Sequence, residues 1–277
     1  MAAMPRPLLT AGLLAAGFAL LAVVLFLTVF VVLQNRLIYF PTRRLAAAPD
    51  ALGLAASELT VVTEDKKRLH GWWIRGAGQR VVLYLHGNAG NASDRLGRAK
   101  VLNQRFGLDV FLVDYRGYGN SSGSPSEEGL YRDGRAIYRA AIESGFRAER
   151  IVLFGESLGA AVAVDLAARW ACAGVVLQTP FLSLPAMARV HYPYVPAFLV
   201  RSRFDNAAKI VEVAAPVLVL VAEQDEVVPA EQGRRLFERA RGSRQLVVIP
   251  GAHHNDLDVV AEEAYWGAWG RFLAGLP

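Results

Sequence analysis

The chain has 277 residues, 53% hydrophobic and 20% charged, with 30 basic against 25 acidic side chains. That length fits one large α/β domain or two small ones, and the composition excludes a disordered, collagen-like or disulfide-dense protein. Cys172, the one cysteine, excludes an internal disulfide and a Cys-based metal knot, and the net charge of +5 is scattered, without the aromatic-interleaved basic stripe that nucleic acid demands.

In chain order, the first feature is Leu8–Leu33, an uncharged apolar run. As a helix it spans ~39 Å, more than the ~30 Å hydrocarbon core of a bilayer. A cleaved signal peptide has a shorter apolar region, ~7–15 residues, ending at a small-residue site, whereas this run ends in Gln34-Asn35-Arg36. Residues 8–33 therefore read as a retained single-pass anchor. Arg36, Arg43 and Arg44 follow it and only Arg6 precedes it, which leans towards a cytoplasmic C-terminal domain by a narrow margin and leaves the side open.

Residues 34–57 read as a connector carrying Pro41 and Pro49. From 58 to 277 the pattern is a single α/β domain. Glu58–Glu64 and Leu69–Arg75 flank the charged turn Asp65–Arg68 as a predicted hairpin. Apolar strands follow at Val81–Leu85, Val110–Val113, Ile151–Phe154, Gly174–Gln178, Val217–Val221 and Leu246–Ile249, with helical stretches at 92–105, 127–143, 158–169, 230–240 and 257–273 between or after them. Continuous apolar strands alternating with helices predict a mostly parallel, doubly wound sheet of about eight strands. Residues 180–213 break the alternation, with Pro180, Pro185, Pro193 and Pro196, and read as a lid-like insertion whose apolar side chains border a substrate pocket or pack the lid onto the body.

The chemistry gathers at strand ends. Gly155-Glu156-Ser157-Leu158-Gly159 follows a strand directly and opens a helix, the context in which a G-x-S-x-G sequence makes a nucleophile elbow. A serine needs a base to take its proton and an acid to orient that base. In this architecture the chain order is serine, acid, histidine. His70 and His86 precede the serine and His191 lies in the insertion, which leaves His253 and His254 after the last strand. Asp225 sits just past the Val217–Val221 strand, where such sheets place functional groups. Glu223 and Glu226 are rival acids, while Asp114 and Asp205 read as structural. Two backbone donors are expected for the oxyanion: the N–H of Leu158 and that of Asn88, in the loop His86-Gly87-Asn88-Ala89-Gly90-Asn91. His86 reads as a structural histidine holding that loop.

These motifs, together with Asp114-Tyr-Arg-Gly-Tyr-Gly-Asn-Ser-Ser-Gly-Ser-Pro125, Asp225-Glu-Val-Val-Pro229 and Gly251-Ala-His-His-Asn-Asp256, resemble the α/β-hydrolase superfamily. Within it they resemble the membrane-anchored abhydrolase domain-containing branch, with its bud-emergence-type and depalmitoylase-like members. The resemblance covers roughly residues 58–277 and implies Ser157 as nucleophile, Asp225 as acid and His254, directly before Asn255-Asp256, as base. It implies no metal and no organic cofactor. His253 departs from the pattern, which usually has glycine there. The expected activity is a membrane-anchored serine hydrolase cleaving an ester or thioester of a small-molecule or acylated substrate. A serine peptidase of the same fold and a non-catalytic scaffold are the alternatives.

Overall fold

The computed structural model describes residues 6–277, with side chains from Leu13 onward. Helix α1 (Arg6–Ile38) runs past the apolar stretch and stops where Pro41 bars Phe40 from helical geometry. Its Leu13–Ile38 portion is long and apolar enough to cross a membrane, with a mean hydropathy of 2.9. Up to Val29 its large apolar side chains are bare, except the half-buried Leu27. Each such side chain would gain ~1.5–3 kcal/mol by leaving water, and beyond an edge contact of Phe26 with Tyr194 the protein gives them little cover.

Strand β1 (Phe40–Pro41) follows, then the hairpin β2 (Ala56–Val62) and β3 (Arg68–Ile74), then β4 (Val81–Leu85) and the two-residue β5 (Ala89–Gly90). Helix α2 (Leu96–Phe106), β6 (Asp109–Val113), α3 (Glu127–Glu143), β7 (Ile151–Glu156), α4 (Leu158–Ala167) and β8 (Gly174–Gln178) continue the alternation. The insertion holds α5 (Leu184–His191) and α6 (Asn206–Lys209), and the chain closes with β9 (Val217–Ala222), α7 (Ala230–Arg239), β10 (Arg244–Ile249), α8 (Leu257–Val260) and α9 (Glu262–Ala274). Eight strands form one sheet in the order β10-β9-β8-β7-β4-β6-β3-β2. The pairings from β10 to β6 are parallel, and β3 joins β6 and β2 antiparallel. This is the mostly parallel architecture expected from the sequence.

The strand period of two explains both cores. Val81, Leu83 and Leu85 enter one core with Ile151, Leu153, Val217 and Val219, against α3, α4 and α7. Val82 and Tyr84 enter the other with Val152, Phe154, Leu218 and Leu220, against α2 and α9. The strands thus end in a common carboxyl edge, and that edge carries the loops of interest.

Two local features depart from the sequence expectation. β1 pairs with β5, so the segment after α1 is stitched to the loop behind β4. The stretch expected as one helix at 257–273 is broken at Ala261 (φ −136, ψ 61). α8 is directed by Asp258, whose carboxylate meets Arg98, whereas α9 must lay Tyr265, Trp266, Trp269 and Phe272 on the sheet. One straight axis does not serve both demands.

Helix α4 approaches β4 through Gly159. A Cβ built there collides with the Leu85 carbonyl and lies 2.6 Å from that of His86. Gly159→Ala is therefore expected to cost about 1–3 kcal/mol through overpacking, read as a lower urea midpoint by tryptophan fluorescence. Burial pushes the Cys172 thiol up to about 12. Its alkylation by iodoacetamide at pH 8 should be at least about a hundredfold slower in the folded protein than in urea, since only the thiolate reacts.

Candidate active site

β7 delivers the chain to Ser157 in a conformation that L-residues rarely adopt (φ 48, ψ −109). Its neighbours make that turn sterically possible: a Cβ on Gly155 would come within 2.5 Å of the Ala160 Cα. The Ser157 N–H donates to the Gln178 carbonyl of β8 at 2.9 Å, which pins the turn to the sheet. Although Ser157 stands at the N-cap of α4, its hydroxyl makes no capping bond. Strain of this kind, held by its surroundings, is characteristic of functional positions.

Past β9, the Asp225 carboxylate accepts the N–H groups of Val227 and Val228 at 2.9 and 2.7 Å. These bonds orient it towards His254, whose Nδ1 lies 2.8 Å from Oδ2 and 3.0 Å from Oδ1. Their side chains are 1% and 8% exposed, so the pair is shielded from competing water. Because the carboxylate accepts only, Nδ1 carries the proton and Nε2 is left as the acceptor. His253, one residue earlier, is half exposed, and its Nδ1 meets Glu226 at 3.1 Å on the surface. Successive side chains diverge here: one imidazole enters the interior and the other leaves it.

The remaining acids have other duties. Asp205 caps α6 through the Ala208 N–H, Glu223 accepts from Gly251, and Asp114 accepts from Ala92. Asp114 also lies 3.5 Å from the fully buried His86, whose Nδ1 contacts the Gly87 carbonyl. Burial pushes Asp114 up to about 7 and His86 down to about 3, since each charged form is poorly solvated there.

The loop behind β4 lies over the serine: a Cβ on Gly87 would be 3.9 Å from that of Ser157. Asn88 is fixed from several directions. Its carbonyl accepts from the Phe40 N–H and the Tyr118 hydroxyl, and its amide donates to the Ile38 carbonyl. Among the described residues, neither the Asn88 N–H nor the Leu158 N–H has a protein acceptor. Ser157, His254 and Asn88 line one cavity of about 700 Å³. Ser157, Asn88 and Leu158 also line a second of about 200 Å³, walled by apolar side chains of α1, α5 and the rest of the insertion.

Sequence reasoning did not find the polar wall of the first cavity. Glu156 accepts from the Tyr84 hydroxyl and pairs with Arg95 and Arg98, and Arg98 also holds Asp258. Arg95 and Arg98 stand one helical turn apart, a spacing visible in the sequence whose partners, remote along the chain, are not. The contribution of α1 to the second cavity had no signal beyond hydrophobicity. Among the described residues, no cluster of three or more His, Cys, Asp or Glu side chains is arranged to hold a metal.

A mostly parallel eight-stranded sheet with a strained serine between β7 and α4 defines an α/β hydrolase. Residues 76–211 match the family described as Hydrolase_4, serine aminopeptidase, S33. An uncharacterized protein of Mycobacterium tuberculosis is 40% identical over 87% of both chains. An uncharacterized membrane protein of Saccharomyces cerevisiae is 33% identical over 87% of this chain and 88% of its own. Alpha/beta hydrolase domain-containing protein 17C of Xenopus tropicalis is 36% identical over 65% of this chain and 58% of its own. In structure, the Pyrococcus furiosus esterase Pf2001 superposes with a TM-score of 0.74 at 21% identity, over 86% of this chain and 97% of that one. The chain belongs to the α/β-hydrolase superfamily.

Proposed function

We propose that this protein is a membrane-anchored serine hydrolase that cleaves an ester or thioester through an acyl-enzyme, with Ser157 as nucleophile, His254 as base and Asp225 as its orienting acid. The observation that carries the reading is the shielded Asp225–His254 pair, whose imidazole lines the same cavity as the strained Ser157. His254 Nε2 takes the hydroxyl proton as Ser157 Oγ attacks the carbonyl carbon. The tetrahedral oxyanion receives the N–H groups of Asn88 and Leu158. Collapse expels the alcohol or thiol, which leaves with the proton from His254. Water, deprotonated by the same nitrogen, then releases the acid and frees the serine. Asp225 holds the required tautomer throughout and stabilises the imidazolium. The anchor is α1, whose length and bare apolar surface suit a single crossing.

The family description names an aminopeptidase, and such an enzyme must seat an α-ammonium group against free carboxylates. The acids on the polar cavity are already engaged: Glu156 with Arg95 and Arg98, Asp258 with Arg98, and Asp94 with Arg95 at 3.7 Å. That favours a neutral acyl substrate. A fluorophosphonate probe tests the reading, because it phosphonylates an activated serine and spares an idle one. Labelling confined to Ser157 is the expected outcome. No labelling of the folded protein would leave the scaffold alternative.

A further inference from the structure

The apolar cavity at Ser157 is a composite. Phe30, Leu37 and Ile38 of α1 form one side, and Met187, Ala188 and Tyr192 of the insertion form the other. The two sides are locked by Gln34, a buried amide at the end of the apolar run of α1. Its Oε1 accepts the Arg201 N–H at 2.7 Å and its Nε2 donates to the Val31 carbonyl at 3.0 Å. Phe30, Ala188, Val195 and Val200 then close into a small apolar core of their own. An anchor that only tethered a domain would need none of this.

The direction of the cavity follows from the helix. From Ile38, whose carbonyl is bonded to the Asn88 amide beside the nucleophile, to Phe30 is about 12 Å of helix axis. At Phe30 the helix leaves the protein, and the turns before it carry bare apolar side chains. The seam continues there through edge-to-face contacts of Phe30 with Tyr192 and of Phe26 with Tyr194. Tyr194, 67% exposed, flanks the same end against the exposed Phe26. Exposed aromatics beside the emerging end of a spanning helix are what a membrane–water interface attracts. The inner end of the cavity is therefore at Ser157 and its outer end is at the level of the lipid.

Resting on the hydrolase reading above, we propose that this seam is the acyl-chain channel of the enzyme: the substrate is a long-chain acyl ester or thioester resident in the bilayer, and its chain passes from the hydrocarbon between α1 and α5 to Ser157 without crossing water. The chemistry that recognises it is apolar contact along one chain, while the leaving group occupies the polar cavity on the other side of Ser157.

The test uses the full chain reconstituted in phosphatidylcholine vesicles, with p-nitrophenyl dodecanoate dissolved in the same bilayer and rates normalised to Ser157 labelled by fluorophosphonate. Ester placed in the enzyme's own vesicles should be turned over at an initial rate at least tenfold above that of the same ester supplied in separate vesicles, from which it must first exchange through water. Equal initial rates from the two vesicle populations mean delivery through water and overturn the proposal. In the second arm, Ala188→Phe fills the seam and should lower the ratio of kcat/KM for dodecanoate to that for acetate at least tenfold. Leu37→Trp, at a partly exposed position of the same wall, does the same if the first variant misfolds. Val23→Phe, on the bare part of α1, should leave the ratio as it is. An unchanged ratio in both seam variants, with Ser157 still labelled, overturns the channel while the hydrolase stands. Absence of labelling in the unaltered protein is instead a failure of the hydrolase reading itself.

Discussion

Ser157→Ala should abolish fluorophosphonate labelling and lower kcat for a p-nitrophenyl ester by at least about 10⁴-fold, with KM little changed. On the proposed mechanism the substitution removes the atom that forms the acyl-enzyme, so the residual rate comes only from the oxyanion donors acting on water. Stability should not suffer in proportion. The Ser157 hydroxyl makes no capping bond, and the main-chain bond to Gln178 is independent of the side chain. Alanine also has a Cβ, so the strained turn costs about what it costs serine. The check is therefore double: an unchanged urea midpoint beside lost turnover. A folded variant that still turns over ester would remove the nucleophile from the mechanism.

His254→Ala should be nearly as damaging, a loss of about 10³-fold or more in kcat, because proton transfer fails in both acylation and deacylation. It also leaves the Asp225 carboxylate, still held by two backbone N–H groups, without its imidazole partner. His253→Gly should cost less than tenfold. Its ring is half exposed and engaged with Glu226, so it sits outside the shielded pair. Exogenous imidazole gives a sharper reading: it should partly restore the His254→Ala variant and leave the His253→Gly variant unchanged. Should His253→Gly prove the inactive variant while His254→Ala keeps its rate, the two histidines exchange roles and the serine chemistry survives.

Local physics was enough for much of this. Apolar runs four or five residues long, separated by helical stretches, already demanded a sheet covered on both faces, because such strands have no polar side to give to water. The elbow was legible because Gly155 and Gly159 bracket Ser157 at a strand–helix junction, and a tight turn of that kind has few alternative sequences. Chain order and strand ends placed Asp225 and the histidine pair in loops past neighbouring strands, for the same reason that parallel strands bring their carboxyl ends to one edge. The hydrophobicity of residues 8–33 likewise needs no partner to be recognised.

What required the folded chain was every property defined by two remote segments. Spacing and order admit both His253 and His254, and only the turn at Asp225 turns one ring inward against a buried carboxylate and the other outward to Glu226. The break at Ala261 arises because Asp258 and Trp269 must satisfy different neighbours, information absent from a local helical pattern. The strap from Ile38 to Thr42, bonded to Asn88, Gly90 and Asn91, couples positions about fifty residues apart whose polar groups have no local signature. The clearest case is α1. In sequence it is a uniform apolar stretch, and uniformity is what lipid selects. In three dimensions its last two turns meet the insertion through Phe30 and the Gln34 amide, and so become a wall of the cavity at Ser157. Hydrophobicity specifies that a surface must leave water, whereas packing decides whether it meets lipid or protein.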